Sequence, residues 1–259
     1  MLRWFEHKQV YVPSRVVEAC SLDWPREDVQ FTARDHCQLH GWFFPAEKGG
    51  LRAHQVFLFM HGNAGNIGTR LGFYEAWLSL GLNVFTFDYR GYGCSQGVPN
   101  EQGTYQDAEA AHAWLGARGF ASRNIIALGE SLGGGIASEL ALRTTIGGLI
   151  LQSTFTNILD VGKELFPFLP VRRMNKIKYD TINKLPRIHV PLMVIHSRGD
   201  RTVSFGHAER NFAAANEPKL FWEIPGGHTD VIEIGRARYL QGLEKYLQAH
   251  FDIATRTAI

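Results

Sequence analysis

The chain has 259 residues, a length at which an α/β protein commonly folds as one domain with a full core. Hydrophobic residues make up 45% of the chain and charged residues 20%, which is the composition of an ordinary soluble globular protein. The net charge of +2 shows no strong basic bias, and we expect no nucleic-acid partner.

The first part of the chain is predicted to be rich in β-structure, with strands over 29–32 and 38–44. From residue 54 onward, short apolar runs alternate with helical patterns. These runs predict strands over residues 56–60, 84–87, 125–128, 149–151, 192–195 and 220–224. Continuous apolar runs are typical of strands that are covered on both faces, as in a parallel sheet.

Helical patterns fill the intervals between these strands, with apolar residues at three- or four-residue spacing. The helical segments are 71–78, about 103–118, 132–140 and 232–247. This regular alternation predicts an α/β fold: a doubly wound, mostly parallel sheet with helices on both faces and its functional site at the carboxyl ends of the strands. We expect residues 1–259 to form a single domain.

Residues 154 to about 188 separate two predicted strands by far more than an ordinary connection. The first half of this segment is apolar, and the second half is basic. An insertion at the carboxyl end of a strand would lie over the site, so we interpret the segment as a short lid. The alternative is a crossover helix with a solvated basic face.

Residues 129–133 have the sequence GESLG, which matches the pattern G-x-S-x-G between a predicted strand and a predicted helix. A serine on so sharp a turn is exposed to substrate, and the helix N-terminus directs free N–H groups to where an oxyanion would form. Gly129 and Gly133 are expected because a side chain there would collide with a neighbouring strand or helix. Ser131 is therefore the predicted nucleophile; the alternative is a glycine-rich turn that caps a helix.

A serine hydroxyl needs a base to take its proton, and histidine commonly has this role. His228 lies in the glycine-rich loop 225–230, between the last predicted strand and the last predicted helix, and so at the carboxyl edge of the sheet. His61 opens a loop and is expected to shape it. His196 ends a strand and is expected to be a partly buried structural residue. We therefore predict that His228 is the base.

The base in turn needs a carboxylate that holds its tautomer and stabilises the imidazolium. Asp200 lies just past the predicted strand 192–195 and is the first candidate, although an ordinary turn aspartate is the alternative interpretation. Asp88 also follows a strand, but its loop precedes the nucleophile and has the closely spaced glycines of a structural turn. Asp230 is only two residues from the base and is expected to point away from it.

An oxyanion hole needs two N–H donors directed at one point. The Leu132 N–H, directly after the nucleophile, is one candidate. The second is expected from the loop 61–66, whose glycines let the backbone approach a substrate. The Asn63 N–H is the first choice and the Ala64 N–H the second, which places Ala64 at the substrate as well. The loop matches neither the P-loop nor the dinucleotide-binding pattern, so we predict no phosphate site.

With these motifs, the sequence resembles the α/β-hydrolase superfamily over nearly the whole chain. The order Ser131, Asp200, His228 is that superfamily's order of nucleophile, acid and base. The loops 61–66 and 88–93 are similar to those of small-lid serine hydrolases, which include carboxylesterase-like proteins, aminopeptidase-like proteins and protein depalmitoylases. Several relatives carry a membrane anchor or a palmitoylated cysteine-rich segment. Neither is visible in this sequence, so we infer no membrane-bound role from the resemblance.

The predicted function is that of a serine hydrolase that cleaves a carboxylic ester or thioester with an apolar acyl group through an acyl-enzyme. The substrate is expected to be small or lipid-like, with Leu165 and Phe168 of the lid against its acyl part. No metal or organic cofactor is required. Two alternatives stay open: a peptidase or amidase of the aminopeptidase-like branch, and a ligand-binding protein that keeps the fold without turnover. Contact with a membrane surface and the oligomeric state are also left open.

Cysteine usage and the ends of the sequence bear on the compartment. Cys20, Cys37 and Cys94 are too few for a disulfide framework and odd in number, which favours a reducing compartment. The first eight residues carry charges where a signal peptide needs an apolar stretch. No window reaches the roughly 18 uncharged apolar residues that span a bilayer. We therefore expect a cytoplasmic protein.

Overall fold

An eight-stranded β-sheet forms the centre of the computed structural model, which describes residues 2–169, 171 and 176–252. Within these residues the strands are, in chain order, β1 (Val12–Pro13), β2 (Glu27–Thr32), β3 (Gln38–Phe44), β4 (Val56–Met60), β5 (Ala64–Gly65), β6 (Asn83–Asp88), β7 (Ile125–Glu130), β8 (Gly148–Gln152), β9 (Leu192–Ser197) and β10 (Lys219–Ile224). The strand order is β10-β9-β8-β7-β4-β6-β3-β2, and β1 pairs separately with β5. β3 runs antiparallel to β2 and β6, whereas the other neighbours in the sheet are parallel.

The helices of the described residues are α1 (Leu2–Val10), α2 (Leu71–Leu78), α3 (Glu101–Ala117), α4 (Leu132–Arg143), α5 (Ile158–Leu165), α6 (Phe205–Ala214) and α7 (Val231–His250). Five of them cover the two faces of the sheet. Residues of α2 and α7 form the core on one face, and residues of α3, α4 and α6 form the core on the other. The predicted α/β architecture is therefore confirmed. Of the helices in the described ranges, none combines the length and the hydropathy needed to cross a membrane.

The burial of β4 on both faces explains why its sequence is apolar without interruption. Val56, Leu58 and Met60 belong to the core on the side of α3 and α4, while Phe57 and Phe59 belong to the core on the side of α2 and α7. Successive side chains of a strand point to opposite faces, so a strand with helices on both sides has no position for a solvated residue. The interpretation of the apolar runs as doubly covered strands is confirmed.

Five elements are not among the predicted strands and helices: α1, α5, α6, β1 and β5. The two short strands have two residues each, too few to show any periodicity. The predicted strands of the main sheet end within one or two residues of the observed ones, because ladder pairing continues into polar residues such as Glu130 and Gln152. The exact end of such a strand depends on the partner strand with which it pairs. A pattern of neighbouring residues holds no information about that partner.

The segment 154–188 begins just after the carboxyl end of β8, as predicted. It contains α5 and ends in a 3₁₀ turn over Leu185–Arg187. The Asn157 side chain caps α5 by accepting a hydrogen bond from the Asp160 N–H at 2.8 Å. The apolar half of the segment therefore forms a short amphipathic helix at the carboxyl edge of the sheet.

The basic half of the segment is only partly a solvated face. Lys176 and Lys178 are exposed. Lys184 is buried, and its Nζ lies 2.8 Å from Glu139 Oε2 of α4. Arg172 and Arg173, which also belong to the basic half, lie outside the described residues.

Candidate active site

Ser131 lies on the turn between β7 and α4. Its backbone has φ 51° and ψ −112°, in the left-handed region that non-glycine residues rarely adopt. Such a conformation costs of the order of 1–3 kcal/mol and persists only where surrounding contacts impose it. Here the Ser131 N–H donates to Gln152 O at 2.9 Å, and the Ser131 carbonyl accepts from the Gly134 N–H at 3.0 Å. The strained turn holds the hydroxyl at the carboxyl edge of the sheet.

The two motif glycines are required by close backbone packing. A Cβ atom on Gly129 would overlap the backbone of Gly133 and Gly134. A Cβ atom on Gly133 would overlap the carbonyl group of Met60 at the end of β4. Glycine at both positions therefore lets α4 start directly against β4 and β7, as the motif predicts.

The structure brings Ser131, His228 and Asp200 together. His228 Nε2 lies 3.1 Å from Ser131 Oγ, and His228 Nδ1 lies 2.6 Å from Asp200 Oδ2. An ionised carboxylate only accepts hydrogen bonds, so we assign the proton of neutral His228 to Nδ1. Nε2 is then free to accept the hydrogen bond of the Ser131 hydroxyl. These three residues come from the loops after β7, β9 and β10, at one edge of the sheet.

Asp200 is held in its ionised form by several donors. Its Oδ1 accepts hydrogen bonds from the Thr202 N–H at 2.9 Å and the Val203 N–H at 2.8 Å. Burial favours the neutral acid, but hydrogen bonds from His196 and His228 outweigh it and hold the pKa of Asp200 well below its usual value. The side chain is therefore a fixed anion beside the imidazole.

The other two histidines considered from the sequence make structural contacts. His196 is buried; its Nε2 lies 2.9 Å from Val203 O and 3.3 Å from Asp200 Oδ2. It therefore supports the carboxylate and does not replace His228. His61 Nδ1 donates to Gly62 O at 2.7 Å, which fits the expectation that this residue shapes its own loop.

The two alternative carboxylates, Asp88 and Asp230, accept hydrogen bonds from backbone N–H groups of nearby loops. Asp88 Oδ1 accepts a hydrogen bond from the Ile67 N–H at 2.9 Å, which ties the end of β6 to the loop before α2. Asp230 Oδ1 accepts a hydrogen bond from the Gly227 N–H and so closes the turn that carries His228. Asp200 is the carboxylate that contacts the imidazole.

Leu132 and Asn63 are the two residues whose backbone N–H groups are the predicted oxyanion donors. Leu132 is the first residue of α4, where an N–H has no acceptor within the helix. Asn63 lines the same cleft as Ser131 and Leu132. The Asn63 carbonyl accepts hydrogen bonds from the Val12 N–H at 3.1 Å and from the Tyr92 hydroxyl at 2.8 Å. These bonds fix the loop at the residue that was predicted as the second N–H donor.

A buried ion pair behind this loop has no counterpart in the sequence predictions. Glu130 Oε2 accepts hydrogen bonds from Arg70 Nε at 3.0 Å and from the Gly62 N–H at 3.1 Å. Burial opposes ionisation, but the Arg70 guanidinium outweighs it and lowers the pKa of Glu130 below its usual value. Arg70 Nη1 also donates to Ala64 O at 2.9 Å. The sequence signal that could have revealed this ion pair is Glu130, a charged residue at the end of the otherwise apolar strand β7.

An apolar cleft of about 170 Å³ opens beside Ser131. Its walls come from α1, the loop after β4, the start of α4, the segment 154–188 and the loop after β9. The lining residues are Gln9, Val10, Asn63, Ser131, Leu132, Phe155, Ile158, Val161, Gly162, Leu165, Phe166, Thr202 and Val203. Leu165 is therefore at the cleft, as the sequence predicts.

Two predicted substrate contacts are placed differently. The Phe168 side chain is 98% exposed and is not part of the cleft wall. It lies in the turn after α5, where the chain has left the face that covers the cleft. Ala64 is also exposed outside the cleft wall, and its carbonyl is bound by Arg70. The prediction that these two residues contact the substrate is not supported by their positions.

The chain matches known proteins over most of its length. A family model described as "Serine aminopeptidase, S33" matches residues 52–178. An uncharacterized protein of Mycobacterium tuberculosis is 36% identical over 95% of this chain and 89% of its own length. The alpha/beta hydrolase domain-containing protein WAV2 of Arabidopsis thaliana is 34% identical over 93% of this chain and 88% of its own. The human alpha/beta hydrolase domain-containing protein 17B is 30% identical over 86% and 80%.

Solved structures share the fold at lower sequence identity. The Pyrococcus furiosus esterase Pf2001 has a TM-score of 0.76 and 22% identity, covering 92% of this chain and 99% of that one. An alpha-beta hydrolase from Vibrio vulnificus has a TM-score of 0.77 and 19% identity, covering 94% and 92%. The relatives in sequence and the shared fold together show that this protein belongs to the α/β-hydrolase family.

Proposed function

We propose that this protein is a serine hydrolase that cleaves carboxylic esters or thioesters of apolar acyl groups through an acyl-enzyme on Ser131. The observation that carries the proposal is the chain of contacts from Ser131 Oγ through His228 to Asp200, at 3.1 and 2.6 Å, beside an apolar cleft. A hydroxyl, a neutral imidazole and a buried carboxylate in this order are the parts that nucleophilic acyl transfer needs.

The first half of the reaction forms the acyl-enzyme. Ser131 Oγ attacks the substrate carbonyl carbon while His228 Nε2 takes the hydroxyl proton. Asp200 stabilises the imidazolium that results. The tetrahedral intermediate then collapses, the C–O or C–S bond to the leaving group breaks, and His228 gives its proton to the departing alkoxide or thiolate.

The second half restores the enzyme. A water molecule attacks the acyl carbon, and His228 Nε2 takes a proton from that water. Collapse of the second tetrahedral intermediate breaks the bond to Ser131 Oγ, which recovers the proton from His228. The products are a carboxylic acid and an alcohol or thiol, and the mechanism requires no metal or organic cofactor.

The Asn63 and Leu132 N–H groups are the proposed oxyanion donors. Both residues line the cleft beside Ser131, and the positive end of the α4 dipole points to the same place. Fixed donors of this kind stabilise the charge that develops in the transition state, and removal of one costs about 10²–10³ in kcat in another serine enzyme.

The residues of the cleft favour an uncharged, apolar acyl group. The apolar residues that line it include Val10, Phe155, Ile158, Val161 and Leu165. Burying each methylene of an acyl chain contributes about 0.8 kcal/mol. We further propose that the segment 154–188 acts as a lid, since its helix α5 supplies three of these residues. A cytoplasmic location stays a prediction; the three cysteines, all free, fit a reducing compartment.

An aminopeptidase is the second candidate, because the matching family model carries that description. An aminopeptidase needs an acidic group for the substrate's α-amino group, and the cleft-lining residues that the structure describes include no carboxylate. Asp160 accepts hydrogen bonds from Thr156 and Asn157, and Glu164 lies 3.2 Å from His207 Nε2. Asp160 and Glu164, the two acidic residues of α5, are thus occupied by other contacts, which favours the esterase.

The deciding experiment combines covalent labelling with a rate panel. A fluorophosphonate probe should add to Ser131, which separates a hydrolase from a ligand-binding protein on the same fold. p-Nitrophenyl esters, acyl thioesters and aminoacyl amides should then be compared; we expect esters and thioesters to react and amides to react least.

Ser131→Ala should abolish labelling and lower the rate by up to about 10⁶-fold, the loss seen for another serine nucleophile. Ser138→Ala is the matched control, because Ser138 is a buried serine on the same helix whose Oγ donates to Gly135 O at 3.0 Å. Substantial ester hydrolysis by folded Ser131→Ala would remove Ser131 from the mechanism. A preference for aminoacyl amides would favour the peptidase instead.

A further inference from the structure

The N-terminal helix α1 forms one wall of the cleft beside Ser131. Gln9 and Val10, its last two residues, line this cleft. Val10 is only 7% exposed and belongs to the core on the side of α3 and α4. The other apolar walls come from α5 and from the loops around the sheet edge. A group bound between α1 and α5 therefore contacts the N-terminal segment directly.

The end of α1 is fixed to the loop that holds the proposed oxyanion donor. The Val12 N–H donates to Asn63 O at 3.1 Å, and the Ser14 N–H donates to Gly65 O at 3.0 Å. These bonds belong to the parallel pair of β1 and β5. Only one residue, Tyr11, separates Val10 from this pair, so Val10 has a fixed position relative to Asn63.

α1 is also bound to the segment on the far side of the cleft. Glu6 Oε1 accepts hydrogen bonds from the Lys176 N–H at 2.6 Å and from the Ile177 N–H at 3.0 Å. The hydroxyl groups of Tyr11 and Tyr179 lie 2.9 Å apart, both in buried positions. The helix is thus held at Glu6 and, one residue past its end, by the buried hydrogen bond of Tyr11.

We propose that Val10 is a specificity-determining residue that limits the length of the acyl group at Ser131. This inference rests on the proposed acyl hydrolysis. The acyl chain leaves the carbonyl carbon between Asn63 and Ser131 and runs into the gap between α1 and α5. The cleft volume of about 170 Å³ is well below the 300–1,000 Å³ typical of sites for drug-sized ligands, so one side chain in its wall decides how much chain fits.

The test alters the wall in both directions. Val10→Ala enlarges the cleft, and Val10→Phe fills it. For each variant, kcat/KM is measured with p-nitrophenyl octanoate and p-nitrophenyl acetate. The octanoate-to-acetate ratio should rise about tenfold in Val10→Ala and fall about tenfold in Val10→Phe, since one methylene of space is worth about 10-fold or more in such pockets. The ratio within one preparation is insensitive to a fraction of unfolded protein.

Val29→Ala is the matched control. Val29 lies on β2 at the edge of the sheet, is 5% exposed and belongs to the same apolar core as Val10, but it is not part of the cleft wall. The octanoate-to-acetate ratio of Val29→Ala should equal that of the wild type. Labelling rates with octyl and ethyl fluorophosphonates give a second readout that requires no turnover, and they should change in the same sense.

The outcomes separate this inference from the proposed function. If the wild type hydrolyses esters and both Val10 variants keep its octanoate-to-acetate ratio, the proposed role of Val10 is overturned. The proposed hydrolase activity is unaffected by that result. A ratio that changes equally in Val29→Ala would also overturn the role of Val10, because general loosening of the core would then be the cause. A wild-type protein that neither labels nor hydrolyses any ester would overturn the proposed function itself.

Discussion

The Arg70 guanidinium donates a hydrogen bond to the Glu130 carboxylate at 3.0 Å, and this buried ion pair joins the two halves of the candidate site. Glu130 directly precedes Ser131 in the chain. Through the Gly62 N–H and the Ala64 carbonyl, the same pair holds the loop that contains Asn63. The distance between the nucleophile and the proposed oxyanion donor thus depends on two residues that touch no substrate.

Glu130→Gln should therefore lower kcat by about 10–100-fold with little change in KM. The amide keeps the size of the side chain but removes the charge that Arg70 requires, so the Asn63 loop loses its fixed position. An oxyanion donor acts mainly in the transition state, and its displacement lowers kcat and kcat/KM together. Steady-state kinetics on a short-chain ester measures this split.

Asp107→Asn is the control for the loss of a buried carboxylate. Asp107 resembles Glu130: it accepts hydrogen bonds from the Arg90 N–H at 2.8 Å and from Arg90 Nε at 3.0 Å, but on the side of α3. Both variants should unfold at lower urea concentration. If Asp107→Asn loses as much kcat as Glu130→Gln, general destabilisation and not the position of Asn63 explains the effect.

Asp200→Asn should lower kcat by about 10⁴-fold while the protein stays folded. An asparagine amide in contact with His228 Nδ1 favours the tautomer with its proton on Nε2, which cannot accept the Ser131 proton. Asp230→Asn changes the carboxylate that is nearer to His228 in the sequence, and it should lower kcat far less. Equal losses in the two variants would contradict the assignment of Asp200 as the partner of His228.

The ionised Asp200 also makes stability depend on pH. Its pKa is lower in the folded protein than in the unfolded chain, so it stabilises the fold above about pH 3.9, the ordinary aspartate value. This contribution is lost as the pH falls toward the folded pKa, because the unfolded chain takes up the proton first. The free energy of unfolding of the wild type should therefore fall between pH 5 and pH 3.

The comparison with Asp200→Asn isolates this group. Over the same interval the variant should show a shallower slope, by at most about 1.4 kcal/mol per pH unit, the value for one proton. Urea unfolding at several pH values gives both slopes. Asp23→Asn, at an exposed position, is the control, and its slope should match the wild type. A variant slope at position 200 as steep as that of the wild type would refute the linkage.

Leu165 and Phe168 should respond differently to the same substitution. Leu165→Glu puts a charge into the cleft wall and should lower kcat/KM for octanoate esters at least tenfold more than for acetate esters. Phe168→Glu changes a fully exposed side chain and should leave the octanoate-to-acetate ratio unchanged. A large effect at Phe168 would mean that the turn after α5 closes over the acyl chain when substrate binds.

The sequence by itself predicts the sheet and the three residues that meet at its edge. Uninterrupted apolar runs indicate strands such as β4 and β7, because these strands are buried on both faces. The position of Ser131 follows from a strand, a glycine-rich turn and a helix that are adjacent in the chain. Asp200 and His228 follow from their place just after strands, because the carboxyl ends of parallel strands meet at one edge.

The tertiary structure alone decides what surrounds these residues. Arg70 and Glu130 are 60 positions apart, and Val10 is more than 100 positions from Ser131. Their contacts depend on how loops pack across the sheet edge, which no local periodicity records. The same reason explains why Leu165 and Phe168, two apolar residues of one segment, have different surroundings. Leu165, at the end of α5, is half-exposed but lines the cleft, whereas Phe168 follows the helix end and is almost fully exposed.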